Sequence, residues 1–384
     1  MSTTIDNPWL SRLSKLCVLA TLFLIFLGAI VTTYDAGMAA PNAPHVDGAF
    51  LNPKTPGTDL PWYKNPPLLK EHSHRLVAMT VGLSMGALTA MLWRNWTAFF
   101  VAVAFMGAAS LGKKAGLSPE VVAQLRVWPA MGIFIGLLLA GAKRRGEKIS
   151  TDQKLVLVAY IATCIQAALG SLRVEIETAS DLAFAANNAV LGAQKLALAT
   201  NIRTFHGVFA QVFLALIVVI AARLSPIWKQ LGDRPKLDGA QKIHVMAIAL
   251  QWLYIIQLAC AAYLRHRGLG LVIPTWPSAG AGLLPEQWTH AVGIHFLHSR
   301  VLPILITGHV IGLAIVCAKR AAGEVRITRL GWGILALVVI QVILGVMVIW
   351  KGRHPHITNT HVMVGAFICA CTALLAARSW RVRA

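Results

Sequence analysis

Glu71-His72-Ser73-His74-Arg75 runs directly into residues 76–93, an unbroken and mostly apolar stretch. About 20 predominantly apolar residues cross a bilayer as a helix, so this run reads as a membrane helix with an acid, two imidazoles and a guanidinium at its mouth. Glu71 and His74 are three residues apart. If the helix starts a turn early they share one face, and a ligand held by His74 lies beside the carboxylate. The plainer alternative is an interfacial polar cap whose side chains snorkel to water.

The rest of the chain repeats the membrane signal. Of its 384 residues, 57% are hydrophobic and 13% charged, which excludes a soluble globule and predicts an all-α polytopic membrane protein. A formal net charge of +20 on a soluble protein would point to nucleic acid. With the amino terminus cytoplasmic, however, the inner segments 1–15, 94–96, 143–154, 223–242, 318–329 and 378–384 hold 20 of the 35 Lys and Arg. That asymmetry is the positive-inside rule, so the charge reports orientation, both termini are placed in the cytoplasm, and no nucleic-acid partner is implied. All six cysteines, Cys17, Cys164, Cys260, Cys317, Cys369 and Cys371, sit in apolar runs without a CxxC spacing, and read as small core residues.

In chain order, 16–34 is read as an uncleaved first span rather than a signal peptide, followed by an outer loop 35–73 and the span 76–93. An extra helical pair or hairpin is expected at about 97–142, spanning or re-entrant. Span 155–172, a long outer segment 173–202 and span 207–222 complete the first half. A basic linker with Pro226 and Pro235, 223–242, precedes spans 243–263, 292–317, 330–350 and 361–377. Two motifs recur in order. Gly37-Met-Ala-Ala-Pro41-Asn-Ala-Pro44 matches Gly270-Leu-Val-Ile-Pro274-Thr-Trp-Pro277, and Gln166 to Gly170 matches Gln341 to Gly345. The chain therefore reads as two parallel repeats of a four-helix bundle, eight core helices in all, with halves at 1–222 and 243–384.

On this topology four histidines become equivalent. His74 and His206 in the first half, and His298 and His361 in the second, each lie near the outer end of a helix running inward. Paired imidazoles on neighbouring helices are what bis-histidine haem ligation needs, one axial nitrogen from each side of the plane between apolar walls. Arg75 and Arg300 follow a proposed ligand by one and two residues, where guanidinium could bind a haem propionate or simply snorkel. His295 and His72 are competing ligands or hydrogen-bond supports, and His309 reads as bonded to a neighbouring helix. Glu71 stands one turn before His74, whereas His295 holds that place before His298. One bundle with a carboxylate and one without suggests one site for chemistry and one for electron transfer or regulation.

These residues resemble the haem A synthase family, in its cysteine-free branch. The resemblance rests on Glu71-x-x-His74-Arg75, Thr204-Phe205-His206-Gly207, the loop 270–277, His295-Phe-Leu-His298-Ser-Arg300, and Thr360-His361 with Gly365. It implies an enzyme that oxidises the C8 methyl of haem O to the formyl group of haem A for cytochrome oxidase, with water as oxygen source. It further implies Glu71 as the catalytic carboxylate, His74 and His206 flanking the substrate haem, and His298 and His361 ligating a haem b cofactor. Haem O synthase, oxidase assembly factors and a second copy of the chain are the partners it suggests, in the cell's cytoplasmic membrane among lipid. Three departures stand out: the outer loops 35–73 and 264–291 lack the cysteine pairs of many members, Ser299 interrupts the second His-Arg, and 97–142 has no counterpart in the eight-helix plan. The rival readings are a diheme, quinol-linked electron-transfer cytochrome and a transporter built on repeats.

Overall fold

The structure is a computed structural model and describes residues 7–40, 53–109 and 119–383. The described residues are helical throughout, apart from short turns, loops and isolated bridges: α1 (Pro8–Thr33), α2 (Pro66–Leu92), α3 (Trp96–Ala109), α4 (Pro119–Arg144), α5 (Thr151–Ala185), α6 (Ala189–Arg223), α7 (Pro226–Gly232), α8 (Ala240–His266), α9 (His290–Phe296), α10 (Leu302–Arg320), α11 (Val325–Trp350) and α12 (Pro355–Val382). Leu297–Val301 is a π-helical turn joining α9 to α10 in one rod. Among the described residues, eight helices are long and apolar enough to cross a membrane. The chain is a multi-pass membrane protein of the all-α class. Pro41 and Pro44 of the first Gly-Pro loop lie outside the described residues.

Two compact units emerge. The first comprises Met1–Leu24 and Ala36–Ala199. In it α2 packs on α5, and α3 on α4, around Ala90, Trp93, Ala98, Phe134 and Leu138. Asn65 starts α2 by accepting the Leu68 amide, ahead of prolines in the first turn whose missing N–H groups cost nothing there. The helix stops where Arg94 turns into left-handed backbone at φ 53°, and the Asn95 side chain then accepts the Ala98 amide to open α3. The expected extra pair is present, over 96–109 and 119–144. At 14 residues α3 is about 21 Å long, shorter than the roughly 30 Å hydrocarbon layer.

The second unit comprises Ile25–Asp35 and Thr200–Ala384. Here α12 packs against both α8 and α11, and α10 against α8 and α11. Ile243, Leu250, Tyr254, Val310, Leu313, Ile334 and Ile368 fill the centre. Between apolar helices in lipid, close approach through small residues matters more than burial from water. At Gly331 a Cβ would come within 2.9 Å of the Cys317 Cβ, so α10 and α11 meet there nearly backbone to backbone.

The segment 173–202 is helical. It is the helical continuation of α5 and the start of α6, broken only around Asn187 at φ 57°. Ala, Leu and Glu favour helix whether or not lipid surrounds them, and Arg173 pairs with Glu177 one turn on at 3.1 Å. All six cysteines are free thiols.

Candidate functional site

In the first unit, Glu71 and His74 both lie on α2, because that helix begins at Pro66, five residues before Glu71. Glu71 is buried and His74 partly buried. One Glu71 oxygen, Oε1, accepts from Arg75 Nη2 at 2.7 Å, and the other, Oε2, accepts from the Ala40 amide at 2.8 Å. The same Arg75 nitrogen donates to the Ala40 carbonyl at 2.6 Å. Arg173 on α5 donates to the Gly37 carbonyl at 2.9 Å, and a Cβ on Gly37 would stand 2.8 Å from its guanidinium, so any larger residue there would have to push the guanidinium aside. The carboxylate thus sits in a two-arginine field under a strapped loop. His72 is fully buried with its ring 4.7 Å from that of Trp62.

In the second unit the inserted Ser299 has a structural answer. Leu302 donates to the Leu297 carbonyl, five residues back, and the next donor position is Pro303, which has no N–H. The wider turn takes up the additional residue between His298 and Arg300, and leaves the His298 carbonyl without a helical donor. Gln257 of α8 supplies one, its Nε2 donating at 2.9 Å. Arg300 then straps the second Gly-Pro loop, donating to the Thr275 and Ser278 carbonyls at 2.6 and 2.7 Å, while His295 Nε2 lies 3.1 Å from the Gly270 carbonyl. His295 is therefore occupied with the loop. The Nη groups of Arg75 and Arg300 that contact protein are spent on loop carbonyls, on Glu71 and on Ser299.

His298 and His361 belong to the same unit and lie near enough for a charge on one to be felt by the other. Gln341 Nε2 is 3.4 Å from His361 Nε2. A Cβ on Gly345, one turn further along α11, would be 3.2 Å from His361 Cε1. The Gln-to-Gly repeat motif is thus the seat of an imidazole. One turn after His361, a Cβ on Gly365 would be 2.8 Å from the Tyr254 hydroxyl. Nδ1 of His298 and Nδ1 of His361 are buried and, among the described residues, have no hydrogen-bond partner. Each ring keeps a nitrogen for a metal, and among the described residues no group of three or more His, Cys, Asp or Glu gathers as a cage. Two imidazoles of one unit, each with a buried Nδ1 that no described group engages, fit axial ligation of a porphyrin iron.

His74 belongs to the first unit and His206, on α6, to the second. His206 is partly buried, and a Cβ on the adjacent Gly207 would lie 3.8 Å from His266 Nε2. His309 Nε2 is 2.9 Å from the Met246 carbonyl, a bond to the neighbouring helix α8.

A sequence model of the COX15-CtaA family, described as cytochrome oxidase assembly protein, matches residues 4–119 and 126–373. The chain belongs to the COX15-CtaA family. Curated proteins named "Heme A synthase" resemble it: one from Geobacillus thermodenitrificans is 32% identical over 168 residues, covering 42% of this chain and 48% of that protein. Another, from Geobacillus kaustophilus strain HTA426, is 25% identical over 268 residues, covering 66% and 73%. A third, from Rhodopseudomonas palustris strain HaA2, is 33% identical over 75 residues, 20% of each. The alignment to the first of these spans about half its length. Within this COX15-CtaA chain, sequence reasoning passed over Arg173, Arg265 and Gln257, which carry no motif of their own, and read Gln341 only as part of a repeat.

Proposed function

We propose that this COX15-CtaA protein is a haem A synthase, an oxidoreductase of the cytoplasmic membrane that converts the C8 methyl of haem O to a formyl group. The observation that carries the reading is the buried Glu71, one turn before His74 on α2, where the equivalent place before His298 holds a histidine. Family membership and relatives named for that activity support it.

In this reading His74, beside Glu71, is a ligand of the substrate haem, and His298 and His361 hold haem b. When bound, haem b supplies an iron through which electrons leave the substrate site. Glu71 sets the charge at the reacting methyl group. Its two oxygens already accept from Arg75 and from Ala40, which orients the carboxylate, and its remaining lone pairs stabilise positive charge or accept a proton at the methyl carbon. Arg75 and Arg173 fix the loop that closes over it and keep water out. The N- and C-terminal halves act as the substrate and cofactor bundles, with both termini cytoplasmic.

The test is the pigment extracted from cells making the protein. A haem A synthase yields haem A or its hydroxylated precursor, and Glu71→Gln retains haem but yields no formyl product. Haem b without any modified haem, from the unaltered protein supplied with haem O, would assign it to electron transfer instead.

A further inference from the structure

A cavity of about 300 Å³ opens in the second unit, lined among others by Thr33, Arg265, Arg353 and Thr358. Two guanidiniums share it, and Arg353 is the charged group that acts on Arg265; no acidic residue lines the cavity. Like charges held together at the end of a membrane bundle call for an anion. Arg265 uses one nitrogen, Nη2, on the Ala29 carbonyl and the Thr33 hydroxyl, at 2.8 and 2.6 Å, and Thr33 in turn donates to Asn359 Oδ1 at 2.6 Å. That chain of bonds aims the guanidinium. The Arg353 side chain lies over Gly270, where a Cβ would come 3.3 Å from its Cδ, and among the described residues its guanidinium makes no hydrogen bond.

The position of the cavity selects the anion. Thr358 and His361 are three apart on α12, so they share a face, with His361 about 4.5 Å deeper. Arg265 is also close enough for its charge to act on His361. A porphyrin clasped at its iron by His361 and His298 would point its edge along α12 at this cavity. We propose that Arg265 and Arg353 form the carboxylate pocket of that porphyrin, the pair of cations that receives its propionates. The proposal rests on the reading of His298 and His361 as axial ligands. Arg300, one candidate from sequence, is tied to the loop at 275–278 instead.

Release of haem b from the full-length protein in detergent to excess apomyoglobin tests it, with haem b dimethyl ester as a second ligand. Arg353→Met carries the test because that side chain makes no hydrogen bond the fold could lose; Arg265→Met follows. Each lost guanidinium is expected to speed release of native haem about tenfold, the worth of one hydrogen bond to a charged group. Esterifying the carboxylates should speed release from the unaltered protein likewise, and add nothing in the double variant. Equal release of native and esterified haem from the unaltered protein would overturn the proposal while leaving the axial ligands standing. So would loss of a co-purifying phospholipid from Arg353→Met with haem release unchanged, which would assign the pocket to a lipid phosphate. Purified protein without a Soret band, by contrast, would remove the axial-ligand reading and the pocket's occupant with it.

Discussion

Replacing Glu71 by Gln changes one charge and almost no volume, and the structure says what that should cost. The Glu71 and Arg75 side chains are 5% and 12% exposed and meet at 2.7 Å. Breaking a buried pair by removing one partner costs about 3–5 kcal/mol, because the survivor is left charged and out of water. The Gln oxygen still accepts the Ala40 amide, and Arg75 keeps the Ala40 carbonyl, so the lower end, about 3 kcal/mol, is expected. In Glu71→Gln/Arg75→Met no orphan cation remains. The residual loss is then chiefly the Arg75 bond to Ala40, about 1.5–3 kcal/mol. Unfolding of the detergent-solubilised protein, followed alongside haem A per mole of protein, separates stability from chemistry. The single variant should be the less stable of the two, and both should make no haem A. A double variant less stable than the single would refute the buried-pair reasoning. A double variant with undiminished haem A would refute the chemical role of the acid.

Other consequences can be checked separately. Gly345→Val pushes a branched side chain into a place where even a Cβ stands 3.2 Å from His361 Cε1; the low-spin bis-imidazole signal in electron paramagnetic resonance should fall away while the helical circular dichroism persists. Deleting Ser299 restores adjacent His and Arg as at His74-Arg75, and haem b content should stay within about twofold, since a π turn exists only to house the odd residue; a larger loss would show that the turn does more. Arg300→Met removes bonds to Thr275 and Ser278, and limited proteolysis should cut the loop at 270–280 sooner. In the loop between α4 and α5, the Arg145 hydrogen bond holds the Glu147 carboxyl below its usual 4.5. Its contribution is present above that value and is lost as pH falls through the lower folded value, so the stability difference between Glu147→Gln and the unaltered protein should vanish in acid and shrink with salt.

Hydropathy read the eight spans and the additional pair because each is an apolar run with a charged end. It left the form of 173–202 open, since a transfer scale sees lipid contact and is blind to a helix that continues beyond it on Ala, Leu and Arg173–Glu177 pairing. The irregular turn at 297–301 was visible in advance only as an unexplained Ser299; that Pro303, five residues after His298, leaves the His298 carbonyl to Gln257 is local chemistry that a motif comparison skips. Arg265 and Arg173 escaped notice for a different reason. Their partners, Ala29 and Gly37, are 236 and 136 residues away, a separation no window over the sequence bridges.

On the Gly-Pro loops themselves, the straps engage nothing but main chain. Arg75, Arg173, Arg300 and His295 address the oxygens of Ala40, Gly37, Thr275, Ser278 and Gly270, and every amino acid offers that oxygen. Both caps can therefore drift in side-chain content over evolutionary time while the hooks beneath them stay put. Comparison of distant homologues should find the loops dissimilar in letters and alike in path.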